Sequence, residues 1–180
     1  MASIWQKTKP DFPHYTKFSS VKAHIEAYEP LEKQQAEKFA KYWGCSLEKI
    51  TQGAGVVGDY KVVESSEKFR RVFGERNIVE FKIDALSTKY PNLFFETESK
   101  NRYEGWHYTG HVKALIEDCI LAISPRGDGQ QLYFLQENIT KTMMKNYREV
   151  IMPNNGGNGN WRKGRLIPLQ DAFELSCYNI

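Results

Sequence analysis

The chain has 180 residues, 41% of them hydrophobic and 13% aromatic, with 25 Lys and Arg against 22 Asp and Glu. That composition supports one folded domain with a sizeable core and excludes a disordered chain. A net charge of +3 is far below that of a protein that binds nucleic acid by charge alone, and it permits such a partner without arguing for one.

Cys45, Cys119 and Cys177 are odd in number and far apart. Their spacing gives neither a zinc site nor a disulfide framework, so free thiols in a reducing cytoplasm are expected. No apolar run approaches the roughly 20 residues that span a bilayer, and the start, MASIWQKTKPDFPHY, has no apolar signal core. A cytoplasmic protein without a membrane partner is the expectation. Residues 1–30 read as an N-terminal extension, 31–136 as the core, and 137–180 as a C-terminal helix, a Gly/Asn loop and a last strand, all in one domain.

In chain order, VKAHIEAYE predicts a short helix. Pro30 then precedes a second helix, LEKQQAEKFAKYWG, in which Ala36, Phe39, Ala40 and Trp43 make one apolar stripe and Gly44 is the stop. SLEKITQ is a weak strand, GAGVVG a turn and DYKVVE a strand. GAGVVG lacks the lysine and hydroxyl residue of a phosphate-binding loop and does not open a helix, so no nucleotide cofactor is expected. EKFRRVFGERN reads as a hairpin connection or one helical turn.

NIVEFKIDAL is the clearest strand. A turn around Pro91 leads to the strand LFFETES. GWHYTGH reads as a loop with Trp106 as a packing residue, and HVKALIED as a short helix. CILAIS and QLYFLQ are strands separated by the turn PRGDGQ. A helix is expected through KTMMKNYREVI, a loop through PNNGGNGNWRKG, and a strand and helix in RLIPLQDAFEL. Helix, strands and then mixed elements define an α+β class with a mixed central sheet.

Alternation in IVEFKID places Glu80, Lys82 and Asp84 on one side of an extended chain. An ordinary solvated face, with an ion pair worth at most about 1 kcal/mol, is one explanation. A phosphodiester-cleaving site is the other. Such chemistry near neutral pH uses a hard divalent cation, held by one or two carboxylates plus water and phosphate oxygen. Asp59 opens the strand before Glu80, and if the two strands pair, both acids can share one ion with Lys82 beside them.

With AEKFAKYWG, ITQGAGVVGDYKVV and IVEFKID in that order, the chain resembles the PD-(D/E)XK nuclease superfamily. The likeness is to archaeal Holliday-junction resolvases and small phage-type nucleases, over roughly residues 31–85. The resemblance implies a restriction-endonuclease-like mixed sheet flanked by helices and a Mg²⁺-dependent (or Mn²⁺-dependent) deoxyribonuclease. It makes Asp59 and Glu80 metal ligands, Lys82 the water-orienting or phosphate-stabilising base, and Glu37 an auxiliary acid on the helix. Branched or duplex DNA is the implied substrate, and a homodimer the implied assembly; an inactive nucleic-acid-binding or assembly protein of the same fold is the rival.

A second frame uses Asp84 and Glu96 as ligands, with Glu98 or Lys100 in the lysine's place, because Glu96, Glu98 and Lys100 would share a strand face. His107 and His111 are candidates for a phosphate or base contact, or for a zinc pair if helical. Lys68, Arg70 and Arg71, expected near the site, and Arg162, Lys163 and Arg165, beside the Gly-rich loop, are candidate phosphate contacts.

Overall fold

The computed structural model describes residues 21–51, 57–84, 90–101, 105–108, 110–125, 130–139, 144–153 and 160–180. Its first helix, α1 (Val21–Trp43), runs through Pro30 rather than starting after it. Proline costs one backbone hydrogen bond and a clash with the preceding turn. The stripe of Ala36, Phe39 and Trp43, all buried, offsets that loss. Gly44 ends the helix at φ +62°, in the left-handed region that glycine tolerates. Ser66 then ties two elements together. Its hydroxyl donates to the Trp43 carbonyl at 2.5 Å and accepts from the Phe69 N–H at 3.1 Å, which caps α2 (Glu67–Phe73).

A six-stranded sheet runs in the order β1 (Cys45–Lys49), β2 (Tyr60–Ser65), β3 (Ile78–Asp84), β6 (Ile120–Pro125), β7 (Leu132–Phe134) and β10 (Tyr178–Asn179). Neighbours are antiparallel except β3 and β6, which are parallel. A parallel pair needs a long crossover. Here it carries β4 (Asn92–Asn101), β5 (Gly105–Tyr108) and α3 (Gly110–Ile116). With β8 (Arg148–Pro153) and β9 (Trp161–Pro168), β4 and β5 form a second, antiparallel sheet in the order β5-β4-β9-β8. The helix α4 (Leu169–Leu175) follows β9. Among the described residues the class is α+β with a mixed sheet and four α-helices, as the element order predicts.

The apolar run at β6 is buried along its whole length, as a central strand covered on both faces requires. On one face, Ile120 and Ala122 pack with Val79 and Phe81 of β3 under α1 and α2. The Phe39 ring is central there, 5.6 Å from Phe81, 5.5 Å from Tyr133 and 6.0 Å from Phe73. On the other face, Leu121 and Ile123 pack against Leu93 and Phe95 of β4, Ile167 of β9, and α3 and α4. Strand alternation does the rest. Because Val79 and Phe81 point into the aromatic core, Glu80 and Lys82 project from the opposite face, the side of the second sheet.

Besides α1, four expectations change. EKFRRVF is a two-turn helix rather than a single turn, since Phe69 and Phe73 at i and i+4 both find the aromatic core. GWHY is a strand, not a loop, because it completes the free edge of β4. Within KTMMKNYREVI, residues Arg148–Ile151 belong to β8 rather than a helix; pairing with β9 satisfies their backbone, and Val150 and Ile151 suit a pleated surface. Trp161–Gly164, assigned to the Gly/Asn loop, begins β9 for the same reason. Residues 53–56 of GAGVVG and 154–159 of the Gly/Asn loop lie outside the described residues. Among the described residues no helix is long and apolar enough to cross a membrane, and all three cysteines are free.

Candidate functional site

β2 and β3 pair through Tyr60 with Val79 and Lys61 with Ile78. Asp59 extends this ladder, its N–H donating to the Val79 carbonyl at 2.9 Å. Tyr60 enters the aromatic core, so Asp59 projects to the face that carries Glu80. The two carboxylates are then laced to each other's strands. The Phe81 N–H donates to Asp59 Oδ2 at 2.6 Å, and the Gly58 N–H donates to Glu80 Oε2 at 2.9 Å. Each acid accepts an amide from the residue next to the other. Lys82 forms an ion pair with the remaining oxygen of Glu80.

The electrostatics follow from burial and proximity. The Asp59 carboxyl is pushed up to about 7, first by desolvation and then by the charge of Glu80, against the opposing pull of Lys82 and the Phe81 amide. Lys82 stays above its ordinary range. Burial opposes its charge, but Glu80, Asp59 and Glu96 together outweigh that penalty. Beneath the pair, burial first and then Glu80 hold the Cys119 thiol at about 12, an inert buried thiol.

Glu37 does not join this group. Its side chain is 67% exposed and pairs with Lys33 at 4.0 Å. It follows Ala36 by one residue, a step of about 100° off the buried stripe. The acid of α1 whose charge does reach Asp59 is Glu32, held by Lys49 at 3.3 Å. Glu32 precedes Ala36 by four residues and lies on the stripe, so helical spacing was a signal that could have found it.

The second frame breaks at one residue. In β4, Glu96 stands opposite Gly164 and Glu98 opposite Lys163, with a bulge between them. Gly164 and Lys163 are adjacent, so their partners face opposite ways. The ion pairs agree: Glu96 meets Arg162 at 3.7 Å, and Glu98 meets Lys163 at 3.2 Å. Asp84 is engaged elsewhere, accepting from the Phe94 N–H at 2.8 Å. Among the described residues no three of His, Cys, Asp and Glu converge as a metal-holding group. Asp84 is thus committed to the backbone of β4, while Glu96 acts on the Asp59–Glu80 group through Lys82.

His111 is buried on α3, and its Nδ1 accepts the Glu96 N–H at 2.9 Å. Burial, then Lys82 and Arg162, lower it to about 3. It is a neutral acceptor that anchors β4 and offers nothing to a phosphate, whereas His107 is exposed on β5. Lys68, Arg70 and Arg71 are on α2, on the opposite face of the sheet from Glu80. There Lys68 lies 3.3 Å from the centre of the Tyr42 ring, Arg70 holds the Ser65 carbonyl and Arg71 holds Glu67. Arg162 of β9 pairs with Glu96 at 3.7 Å, and Glu96 acts on Lys82. Arg165 bonds the Tyr147 carbonyl at 3.1 Å and Glu149 at 3.0 Å.

Two carboxylates on neighbouring strands with an ammonium group beside them form a hard-oxygen donor set. Mg²⁺ and Mn²⁺ use this kind of set, taking remaining ligands from water and phosphate. Asp59 and Glu80 are the residues that would hold such an ion. No protein-family model, curated protein or solved structure matches the chain.

Proposed function

We propose that the chain is a divalent-metal-dependent deoxyribonuclease with a restriction-endonuclease-like core. The observation that carries this reading is the reciprocal lacing of Asp59 and Glu80 across β2 and β3, with Lys82 ion-paired beside them. The mixed sheet, with helices α1 and α2 on the face away from these acids, supports the fold assignment. A bound Mg²⁺ or Mn²⁺ would supply Lewis-acid activation of water and neutralise charge on the phosphate.

The chain's own residues do the positioning. Asp59 and Glu80 are each held by the backbone amide of a residue next to the other. Lys82 has its ammonium group at the same point. Ion-paired with Glu80 in the chain, it would be placed to hold a water or a phosphate oxygen by hydrogen bonding. Glu96 and Arg162 border the group and set the charge along the approach from the second sheet. The reading carries with it a cytoplasmic enzyme and a homodimer for two-strand cuts, the latter testable by sedimentation.

The test is cleavage of branched, duplex and single-stranded DNA by the purified chain with Mg²⁺, Mn²⁺ or EDTA. Cleavage that EDTA abolishes is expected. Glu80→Gln and Lys82→Met should each lose about 10²–10³-fold in rate, the typical effect of removing one transition-state contact. Full Mg²⁺-dependent cleavage by both Asp59→Ala and Glu80→Gln would reject the site. The engagement of both Glu80 oxygens within the chain favours a second reading, an inactive nucleic-acid-binding protein of the same fold. Salt-sensitive binding without products would select it.

A further inference from the structure

Six large hydrophobic side chains are exposed among the described residues, and four of them, Trp106, Tyr108, Ile151 and Trp161, belong to the second sheet. The register puts all four on one face. Lys100 of β4 stands opposite Trp106 of β5 on one edge and Trp161 of β9 on the other. Two residues earlier, Glu98 stands opposite Tyr108 and Lys163, and Lys163 opposite Ile151 of β8. Directly opposed residues of antiparallel strands share a face, as do residues two apart. The result is two adjacent rows, Trp106–Lys100–Trp161 and Tyr108–Glu98–Lys163–Ile151. On β9 the same face carries Ile167, buried between the sheets. The rows thus continue the core side of this sheet beyond its packed part.

An exposed patch of this kind marks an interaction site, and its charges choose the partner. The ammonium groups of Lys163 and Lys100 lie 5.2 and 5.7 Å from the centre of the Trp106 ring. Lys163 is steadied by Glu98 at 3.2 Å and Glu149 at 3.8 Å, and Glu149 also holds Arg165 at 3.0 Å. Among the described residues of this face, three cations (Lys100, Lys163, Arg165) stand against two carboxylates (Glu98, Glu149). Flat rings interleaved with excess positive charge suit stacked bases with phosphates between them. Two strand spacings place Trp106 and Trp161 roughly 10 Å apart with Lys100 midway.

We infer that this face of the second sheet is a platform for single-stranded nucleic acid. Bases stack on Trp106, Trp161 and Tyr108, and phosphates meet Lys100 and Lys163. The inference rests on the nuclease reading for its substrate class and extends it. The rows lie on the face of β4 and β9 opposite to Glu96, whose charge acts on Lys82, so the platform is a surface distinct from the candidate site.

The experiment is fluorescence anisotropy of the full chain, in EDTA, with labelled oligo-dT and oligo-U of about 15 nucleotides, within the span such platforms cover. Trp106→Ala and Trp161→Ala should each weaken binding by about tenfold. Trp106→Phe, which keeps a ring, should bind like the parent and controls for folding, with circular dichroism melts run on every variant. Lys100→Ala should lower the salt slope by about 0.7. Preference between the two oligomers assigns the platform to DNA or RNA.

Unchanged affinity in both alanine variants overturns the inference. So does absence of oligonucleotide binding by the parent, whether the face instead mediates self-association lost in Trp106→Ala or retention on an insoluble polysaccharide. The two readings fail separately. Ring-dependent binding without Mg²⁺-dependent cleavage removes the nuclease and keeps the platform. Cleavage with ring-independent binding does the reverse.

Discussion

Replacing Asp59 by Asn should stabilise the metal-free protein at high pH and do nothing at low pH. In the folded chain this carboxyl is pushed up from its ordinary 3.8 to about 7 by burial and by Glu80. The unfolded chain releases that proton near the ordinary value. Between those two values the folded form holds a proton that the unfolded form has lost, so this group's contribution is fully present below about pH 4 and is lost as pH rises through about 7. Each tenfold step is worth about 1.4 kcal/mol, which sets a ceiling of roughly 4 kcal/mol for ionised Asp59 at pH 8. Asn keeps an oxygen to accept the Phe81 N–H and carries no charge. Its advantage over the parent should be about 1–4 kcal/mol at pH 8, or about 3 °C in melting temperature per kcal/mol, and near zero at pH 4. Urea or thermal unfolding of both proteins in EDTA at the two pH values measures it. Adding Mn²⁺ should narrow or reverse the order, because only the parent gains by binding. A variant that is less stable at pH 8, or a difference independent of pH, would refute the reasoning.

Phe39→Ala removes the centre of the aromatic core and should cost about 3–5 kcal/mol by urea unfolding; a loss under 1 kcal/mol would mean that α1 does not pack as described. Gly110 combines φ +56° with a position where a Cβ would lie 2.8 Å from the Glu96 carboxyl carbon. Gly110→Ala should destabilise the fold by about 1–3 kcal/mol, measured the same way. His111 is held well below its ordinary value, so its contribution is present above pH 6.5 and is lost as pH falls. His111→Gln, which keeps an acceptor for the Glu96 amide, should flatten the acid side of the stability profile between pH 6.5 and 4, and a parallel profile would contradict the burial argument.

Periodicity located most of this fold. The stripe in α1, the alternation in β3 and the unbroken apolar run of β6 each named both an element and its buried face. What periodicity missed was decided by distant partners. Arg148–Pro153 and Trp161–Gly164 are strands because they pair with each other and, through β9, with β4; neither segment states this locally. A single bulge residue, Thr97, separates Glu96 from Glu98, and no local signal marks it. For the candidate site, alternation correctly placed Glu80 and Lys82 on one face, and the pairing of β2 with β3 adds Asp59. Glu37 was chosen by its order in a motif, whereas helical spacing points to Glu32. Trp106 was read as a packing residue because its neighbours looked like a loop; as part of β5 it is 38% exposed.

The central claim is that Asp59 and Glu80 grip one divalent cation. Substoichiometric Mn²⁺ added to isotopically labelled protein tests it directly, because paramagnetic broadening marks the amides nearest the ion. The amides of Gly58 and Phe81 should broaden first, and Asp59→Asn should abolish the effect. Broadening centred on Glu37, on His107 or elsewhere, or none at Gly58 and Phe81, would contradict the account.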